Sequence, residues 1–593
     1  MTLNDREELK KRFRHMDRPG EAEARRTMRE MYGENKPLGK NFDPSLAAVC
    51  KNGVFVGKKK DGILAFKGIP FAKPPVKELR WMPPEPPEDS DEVREAYYYG
   101  HSPIQTEWPS ETGSYYPQSE NCLTLNVWTA DGDTKDKAVM VFFHGGSYGW
   151  GATSDPIYDG QTLVAAHRDI VLVTAEYRVG IMGFIDFSEV EGGEKYEKSG
   201  NLGLLDHIAA LKWVRNNIAS FGGNPENVTI FGESAGGGTV SLLPIIKEAK
   251  GLFKRSIAES GSVALTFSRE ECKPLAQKLL KESGAKNMSE LLAIPEEKLM
   301  KLNENLNDFN NFPERDGILI PEDPYEPYRN GTASDVDMIM GTNSDEVRYW
   351  MREMRYYVRP WLGTPLFKLG TPVMFDNNMA KVSEEDKKNY LSKYMKLFNG
   401  RKLWKMVEFY NDVLFRTPAI AQAEGHSDNG GRTFMYYWSY PSAHKNLGAC
   451  HAVELAYVFG NTDVKIYTGD NVDISLSEEV QNMWVNFAKT GNPSTQNTKW
   501  ERFERRARKT MILGSKIKSE QDPLSQRRRY TFPFLKYMFN GCYANLKINI
   551  PVIYFIFGAV LGILSLAPAL IAFVIDFFVR LFKFIKIIRE DEK

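Results

Sequence analysis

A serine flanked by glycines is the feature of the sequence that most directly suggests chemistry. Residues 232–236 read Gly-Glu-Ser-Ala-Gly and fit the pattern G-x-S-x-G. In that pattern a sharp turn from a strand to a helix exposes the serine hydroxyl, and glycines stand where a Cβ would clash. The apolar segment 227–232 leads into the turn and a helix-like stretch follows it, which is the context that the turn requires. We therefore predict that Ser234 is an activated nucleophile rather than part of a glycine-rich turn without a catalytic role.

The elements around this serine alternate between apolar and amphipathic segments. Residues 138–144, 169–176 and 227–232 are dominated by apolar side chains and predict buried strands, whereas 204–218 has the 3.6-residue spacing of a helix. The alternation predicts an α/β fold with a large, mostly parallel central sheet flanked by helices. No change in composition divides residues 41–530, so we treat them as one domain.

Longer ordered motifs lie on both sides of the serine turn. The sequence resembles the type-B carboxylesterase and cholinesterase family of α/β-hydrolases over roughly residues 45–530. The matching blocks are 66–75 (FKGIPFAKPP) with 79–81 (LRW), 119–127 (SENCLTLNV), 176–180 (EYRVG), 200–206 (GNLGLLD) and 217–236, which includes the serine. The resemblance implies the α/β-hydrolase fold and an enzyme that acts on carboxylic esters.

The resemblance also implies the partners of the serine. It implies a catalytic triad of Ser234, Glu346 and His451, in which the histidine moves a proton and the glutamate orients the imidazole. Glu346 lies in the motif GTNSDE and His451 in ACHAVE. His444 and Asp345 are the neighbouring residues that could compete for these roles, and the motif match favours His451 and Glu346.

An oxyanion hole is the remaining part of the site that the resemblance implies. Its donors would be the backbone N–H groups of Gly146, Ser147 and Ala235, which would stabilise negative charge on the reacting carbonyl oxygen. The family usually has a glycine where Ser147 stands, so its side chain is expected to narrow the alcohol side of the pocket. We expect no cofactor and no metal.

The C-terminal end of the chain differs from the rest in composition. Residues 548–575 contain no charged side chain and are long enough to form a transmembrane helix, since a bilayer core needs about 20 apolar residues. They are preceded by a juxtamembrane linker, 531–547, and followed by a basic amphipathic tail, 576–593. Residues 1–40 form a charged extension without the apolar segment of a signal peptide. We therefore expect a tail-anchored protein with its catalytic domain in the cytosol; charges flank the apolar segment on both sides, which leaves a lumenal orientation open.

Cysteine content predicts the redox compartment of the protein, and net charge argues against one class of partner. Secreted members of the family have disulfides, but the cysteine upstream of Cys122 in the first expected bridge and the cysteine that begins the second are missing here. Free thiols in a reducing compartment are therefore the simplest interpretation for four cysteines: Cys50, Cys122, Cys272 and Cys450. The chain has 77 basic and 77 acidic residues, a balance that argues against a nucleic-acid partner. The sequence gives no indication of the oligomeric state.

Three functions agree with these features. The first is a membrane-anchored serine hydrolase that cleaves small-molecule or lipid esters through an acyl-enzyme intermediate. The second is an acyltransferase that uses the same triad and passes the acyl group to an alcohol or sugar hydroxyl. The third is a non-catalytic adhesion protein similar to the neuroligins, which the complete triad makes the weakest of the three.

Overall fold

The computed structural model describes residues 31–39, 41–105, 116–132, 135–306, 311–349, 379–400, 402–444, 447–470 and 472–539. Sixteen strands lie within these ranges. They are β1 Ala47–Cys50, β2 Asn52–Val56, β3 Lys58–Lys60, β4 Ile63–Pro70, β5 Ser90–Glu95, β6 Thr124–Ala130, β7 Lys137–Phe143, β8 Ile170–Ala175, β9 Gly223–Glu233, β10 Arg255–Glu259, β11 Phe267–Ser268, β12 Glu314–Arg315, β13 Asp337–Asn343, β14 Thr433–Trp438, β15 Lys509–Leu513 and β16 Lys518–Gln521.

The α-helices of the same ranges mostly follow the strands that they cover. They are α1 Gln161–Ala166, α2 Gly180–Gly183, α3 Leu202–Asn217, α4 Ala235–Leu242, α5 Arg269–Ser283, α6 Met288–Leu292, α7 Glu296–Leu306, α8 Glu326–Arg329, α9 Glu384–Asp386, α10 Ser392–Met395, α11 Lys402–Asn411, α12 Thr417–Asp428, α13 Leu455–Phe459, α14 Lys465–Thr468, α15 Ile474–Thr490 and α16 Ser525–Thr531. Strands β7, β8 and β9 and helix α3 confirm the four elements predicted from apolar spacing.

The central sheet has eleven strands in the order β16-β15-β14-β13-β10-β9-β7-β8-β6-β4-β3. The seven strands from β15 to β8 are mutually parallel, while β16 at one edge and β6, β4 and β3 at the other are antiparallel. The prediction of a parallel sheet therefore holds for its centre, and the whole sheet is mixed. Short hairpins join β3 to β4 and β15 to β16, and Asp61 and Gly62, with φ angles of 50° and 73°, suit the tight turn of the first. Strand β6 pairs antiparallel with both β4 and β8 without such a hairpin.

Alternate side chains of β7 show how the sheet separates two hydrophobic cores. Val139, Val141 and Phe143 belong to one core cluster, and Met140 and Phe142 belong to another. Successive side chains of a strand point to opposite faces, so a fully apolar strand is one covered on both sides. Helices α3 and α4 contribute to the first core and α15 to the second.

Local signals set the ends of the longer helices. Helix α5 begins with a capping box between Ser268 and Glu271 and ends at Gly284, whose φ of 78° lies in the left-handed region. Helix α15 begins at the N-cap Asp473 and ends at Gly491, with φ of 74°.

The folded domain extends beyond the predicted boundaries at both ends. Asn35, within the predicted extension 1–40, donates through its side-chain amide to the carbonyls of Lys67 and Tyr98. Phe534 and Phe539, within the predicted linker 531–547, are buried. The composition of these segments predicted a charged extension and a linker. In the structure, the side-chain amide of Asn35 donates to the domain and the rings of Phe534 and Phe539 are buried.

Three predictions for the ends of the chain lie outside the described residues. They are the transmembrane helix 548–575, the tail 576–593 and the greater part of the extension 1–40. Among the residues that the structure describes, no helix combines the length and the apolar character needed to cross a bilayer. The four cysteines of the domain are buried, and none of them is in a disulfide.

Candidate active site

Ser234 lies on the turn between β9 and α4, at the centre of the parallel part of the sheet. Its φ and ψ of 59° and −118° are rare for a residue other than glycine, and such a backbone costs roughly 1–3 kcal/mol. The turn is held by the Ser234 N–H, which donates to the carbonyl of Glu259 on β10 at 2.9 Å. A Cβ at Gly236 would lie 1.9 Å from the carbonyl oxygen of Phe143, so the following helix can approach β7 only with glycine there. The geometry is that of the strand–turn–helix predicted from G-x-S-x-G.

The structure brings Glu346 and His451 together, although 105 positions separate them. Glu346 follows β13, and His451 lies between β14 and α13. Oε2 of Glu346 is 2.6 Å from Nδ1 of His451, and both side chains are buried. The opposite ring nitrogen, Nε2, lies 3.1 Å from Oε1 of Glu233, the residue that precedes Ser234. The imidazole ring therefore lies between Glu346, which contacts Nδ1, and Glu233 of the serine turn, which lies near Nε2.

Two donors that sequence analysis did not identify fix the other oxygen of Glu346. Oε1 accepts from the backbone N–H of Asn343 and from the hydroxyl of Ser260, each at 2.7 Å. Ser260 directly follows β10, where Glu259 is in register with Glu233 on one side and with Gly341 on the other. These two hydrogen bonds fix the orientation of the buried carboxyl group. The only sequence signal for Ser260 is its place at the carboxyl end of a strand between those that end at the serine and the acid.

The two competing residues have other contacts. Asp345 pairs with Arg348 at 2.7 Å and accepts from the N–H of Ala449 at 3.0 Å. His444 contacts the carbonyl of Lys465 at 2.8 Å and lies on the protein surface. The structure thus places Glu346, and not Asp345, beside the imidazole of His451.

The predicted oxyanion loop follows β7 and runs next to the serine turn. A Cβ at Gly145 would lie 3.0 Å from Cβ of Ser234, which shows how closely the two segments approach. Gly146 and Ser147 have φ angles of 105° and 51°. Ala235 is the first residue of α4, where backbone N–H groups have no partner within the helix. The three predicted donors therefore come from the loop after β7 and from the start of α4, both of which adjoin Ser234.

A buried polar and aromatic layer supports this loop. The hydroxyl of Tyr177 donates to the carbonyl of His144 at 3.0 Å, and Nε2 of His144 lies 3.5 Å from Glu176. His207 packs between the rings of Phe143 and Tyr177, with centroid distances of 4.3 and 4.2 Å. Burial holds the pKa of His207 well below its usual range, so its ring is neutral and acts in packing.

Two further buried carboxyls lie near Glu346 and Asn343. Glu259 accepts from the indole N–H of Trp484 at 2.9 Å, and Glu454 accepts from the side-chain amide of Asn343 at 2.5 Å. The second oxygen of each carboxyl has no hydrogen-bond partner among the described residues. Burial raises the pKa of Glu259, and burial together with the charge of Glu259 raises the pKa of Glu454. Both carboxyls are therefore harder to ionise than an ordinary glutamate.

A raised carboxyl pKa makes folding less favourable as the pH increases. The contribution of such a group to the free energy of unfolding is fully present below the ordinary glutamate pKa near 4.5. It is lost as the pH rises toward the pKa in the folded protein, which is about 8 for Glu259. We expect Glu454→Gln to raise the melting temperature at pH 8 by roughly 2–4 °C and to have little effect near pH 4.5. The neutral amide can still accept from the side chain of Asn343. Differential scanning calorimetry with the exposed Glu385→Gln as control measures this; equal destabilisation at both pH values would contradict it.

Comparison with known proteins agrees with this geometry. The family model described as "Carboxylesterase family" matches residues 46–531. The para-nitrobenzyl esterase of Bacillus subtilis (strain 168) is 37% identical over 497 residues, which cover 80% of this chain and 96% of that esterase. Carboxylesterase 1E of Mus musculus is 33% identical over 486 residues, with 75% and 84% covered.

Solved structures of esterases have the same architecture. A carboxylesterase of Geobacillus stearothermophilus superposes with a TM-score of 0.73 at 30% identity, covering 82% of this chain and 99% of that one. A thermophilic para-nitrobenzyl esterase gives a TM-score of 0.72 at 34% identity, with 82% and 100% covered. The fold is thus an α/β-hydrolase fold, as the sequence predicted. The chain belongs to the carboxylesterase family and is a carboxylic ester hydrolase.

Proposed function

We propose that this esterase works through a triad of Ser234, Glu346 and His451 and an acyl-enzyme intermediate. The observation that supports the proposal most directly is the 2.6 Å contact between Glu346 and Nδ1 of His451, with Nε2 turned toward the serine turn. Nδ1 donates to the carboxylate, which leaves the lone pair of Nε2 as the base. His144 also lies near the turn, but its Nδ1 contacts the carbonyl of Gly145 at 2.8 Å and its Nε2 lies 3.5 Å from Glu176.

The reaction proceeds in two halves. In the first, Nε2 of His451 removes the proton from the Ser234 hydroxyl while Oγ attacks the ester carbonyl carbon, and the carbonyl oxygen becomes negative. The N–H groups of Gly146, Ser147 and Ala235 stabilise that oxygen, a contribution of about 2.7–4 kcal/mol per donor in related chemistry. The imidazolium then protonates the leaving alkoxide and the alcohol departs. In the second half, water replaces the alcohol, and the carboxylic acid and free Ser234 are formed.

An aryl carbamate tests the intermediate, because carbamoyl-serine hydrolyses slowly enough to be isolated. A p-nitrophenyl carbamate should release one equivalent of p-nitrophenolate per protein molecule and add the carbamoyl mass to the peptide that contains Ser234. Continuous release of p-nitrophenolate with no mass added to that peptide would contradict the proposal.

The side chain of Ser147 is proposed to limit the size of the alcohol group. Its φ of 51° lies in the left-handed region that favours glycine, so Ser147→Gly relieves strain and removes a side chain from the oxyanion loop. We expect the variant to raise kcat/KM for esters of bulky alcohols by about tenfold relative to methyl esters, since a removed steric contact is worth roughly 1–3 kcal/mol. A series that varies the acyl group at constant alcohol is the internal control. An unchanged alcohol preference would contradict the role of Ser147.

We also propose that residues 548–575 span a membrane and that the catalytic domain faces the cytosol, where it meets small-molecule or lipid esters. The uncharged apolar composition of this segment and the reduced cysteines support the proposal. The protein should resist alkaline carbonate extraction from microsomes, and added protease should digest its N-terminal domain in sealed vesicles. Protection of that domain would contradict the cytosolic orientation.

A further inference from the structure

Two apolar side chains are exposed on a helical hairpin that packs against residues 534–539, the last ones that the structure describes. The hairpin consists of α10 and α11, and Leu397 and Trp404 are 36% and 41% exposed. Four lysines between positions 388 and 405 are exposed or half-buried. We name the six residues the lysine–tryptophan face; they are Lys388, Lys393, Lys396, Leu397, Trp404 and Lys405. The guanidinium of Arg348 lies 5.8 Å from the ring of Trp404, so a further cation adjoins this exposed tryptophan.

The charge of this face is not balanced locally. The sequence from 387 to 405 contains seven basic residues and no acidic one. None of the four lysines of the face forms an ion pair with an acidic side chain of the described chain. Of the acidic residues that precede this segment, Glu384 pairs with Lys387 and Asp386 with Lys536, while Glu385 is exposed. Within the described residues the face therefore carries a net positive charge.

The inner side of the hairpin packs against the last described residues of the chain. Phe409 on α11 contacts Phe534 with a ring-centroid distance of 5.0 Å, and Tyr410 contacts Phe539 at 6.4 Å. The guanidinium of Arg527 lies 5.2 Å from the ring of Phe398. The last described residues of the chain therefore belong to the same hydrophobic cluster as the inner side of the hairpin.

Chain length limits how far this cluster can lie from the proposed membrane segment. Nine peptide units join Phe539 to Ile548, and fully extended they reach roughly 30 Å. Trp404 precedes Tyr410 by six residues on α11, an axial rise of about 9 Å. With residues 548–575 in a bilayer, this short connection keeps the hairpin close enough to contact the bilayer surface.

We propose that the lysine–tryptophan face docks on the headgroup layer of a membrane that contains anionic lipid. Tryptophan favours the membrane interface, and lysines attract anionic headgroups while their alkyl stems cover apolar surface. A second copy of this chain is a poor occupant, because the same positive face would be repelled by itself. The nearness of the face to the bilayer rests on the anchor proposed above. Docking of the face, however, is a separate contact with its own test.

Hydrogen exchange of the full-length protein in vesicles measures this contact. We expect amide exchange of residues 388–405 to slow at least about fivefold in vesicles of phosphatidylcholine with 30% phosphatidylserine, relative to phosphatidylcholine alone, since each lysine near an anionic surface contributes roughly that factor. The protection should fall at high salt, because the attraction is screened. The triple variant K388E/K393E/K396E should lose it. The matched control K281E/K286E/K301E reverses three exposed lysines on α5, α7 and the connection after α5, and should retain it.

The outcomes separate docking from anchoring. Equal exchange in neutral and anionic vesicles, or protection retained in the triple variant, would overturn docking. Protection that disappears when each vesicle holds a single protein would assign the face to a second copy and would also overturn it. If alkaline carbonate removes the protein while anionic vesicles still protect residues 388–405 before the wash, the anchor fails and docking stands. If the protein resists the wash and the segment exchanges equally, docking fails and the anchor stands.

Discussion

Replacing Ser234 with alanine is expected to lower kcat for ester hydrolysis by about 10⁶-fold, the loss typical of removing the nucleophile from a triad. Without Oγ no acyl-enzyme can form, and His451 has no hydroxyl to deprotonate. The strained turn should persist, because alanine has the same Cβ and because the Ser234 N–H contact with the carbonyl of Glu259 belongs to the backbone. KM should change little. Steady-state kinetics with an activated aryl ester measures both constants.

A second buried serine of the same sheet provides the control. Ser256 on β10 donates to the carbonyl of Val240 at 2.7 Å and lies away from the turn, so Ser256→Ala should cost stability but little kcat. If Ser234→Ala retained activity within about tenfold of the parent enzyme, the nucleophile would have to be another residue.

Glu346→Gln is expected to lower kcat by about 10⁴-fold while the fold is retained. The reason lies in the donors around the carboxylate. The N–H of Asn343 and the hydroxyl of Ser260 both point at Oε1, so the carboxamide of glutamine would turn its oxygen toward them. Its NH₂ group would then face Nδ1 of His451. The imidazole would have to accept at Nδ1 and hold its proton on Nε2, where it could no longer take the proton of Ser234.

The neighbouring acid is the matched control for this variant. Asp345 pairs with Arg348 and accepts from Ala449, and Asp345→Asn should change kcat far less than Glu346→Gln. NMR of the His451 ring nitrogens gives a readout that loss of stability would not produce, because Glu346→Gln should exchange the protonated and unprotonated nitrogens. Equal kinetic losses in the two variants would assign the orienting role to the pair of acids rather than to Glu346.

Local sequence signals predicted those parts of the molecule whose structure depends on near neighbours. The apolar segment 227–232 and the glycines after it were enough to place β9, the turn and α4. The buried strands at 138–144 and 169–176 were recognisable for the same reason. The antiparallel edges were missed, because hairpin strands such as β3 with its three exposed lysines have no apolar run to reveal them.

The remainder of the site depends on long-range register. Glu346 and His451 were identified only through the family resemblance, since nothing in their own neighbourhoods distinguishes them from Asp345 and His444. The roles of Ser260 and Asn343 could not be predicted, because they follow from the alignment of β10 between β9 and β13. The raised pKa values of Glu259 and Glu454 depend on burial, which the sequence around each glutamate does not indicate.

Labelling with a fluorophosphonate, followed by peptide mass spectrometry, tests the proposed nucleophile most directly. The reagent phosphonylates a serine only where a base activates its hydroxyl and an oxyanion hole receives the phosphoryl oxygen. The folded full-length protein should take up one equivalent, all of it on the peptide that contains Ser234, and His451→Ala should abolish the uptake. A folded protein that remains unlabelled, or one labelled at a serine other than Ser234, would contradict the proposed mechanism.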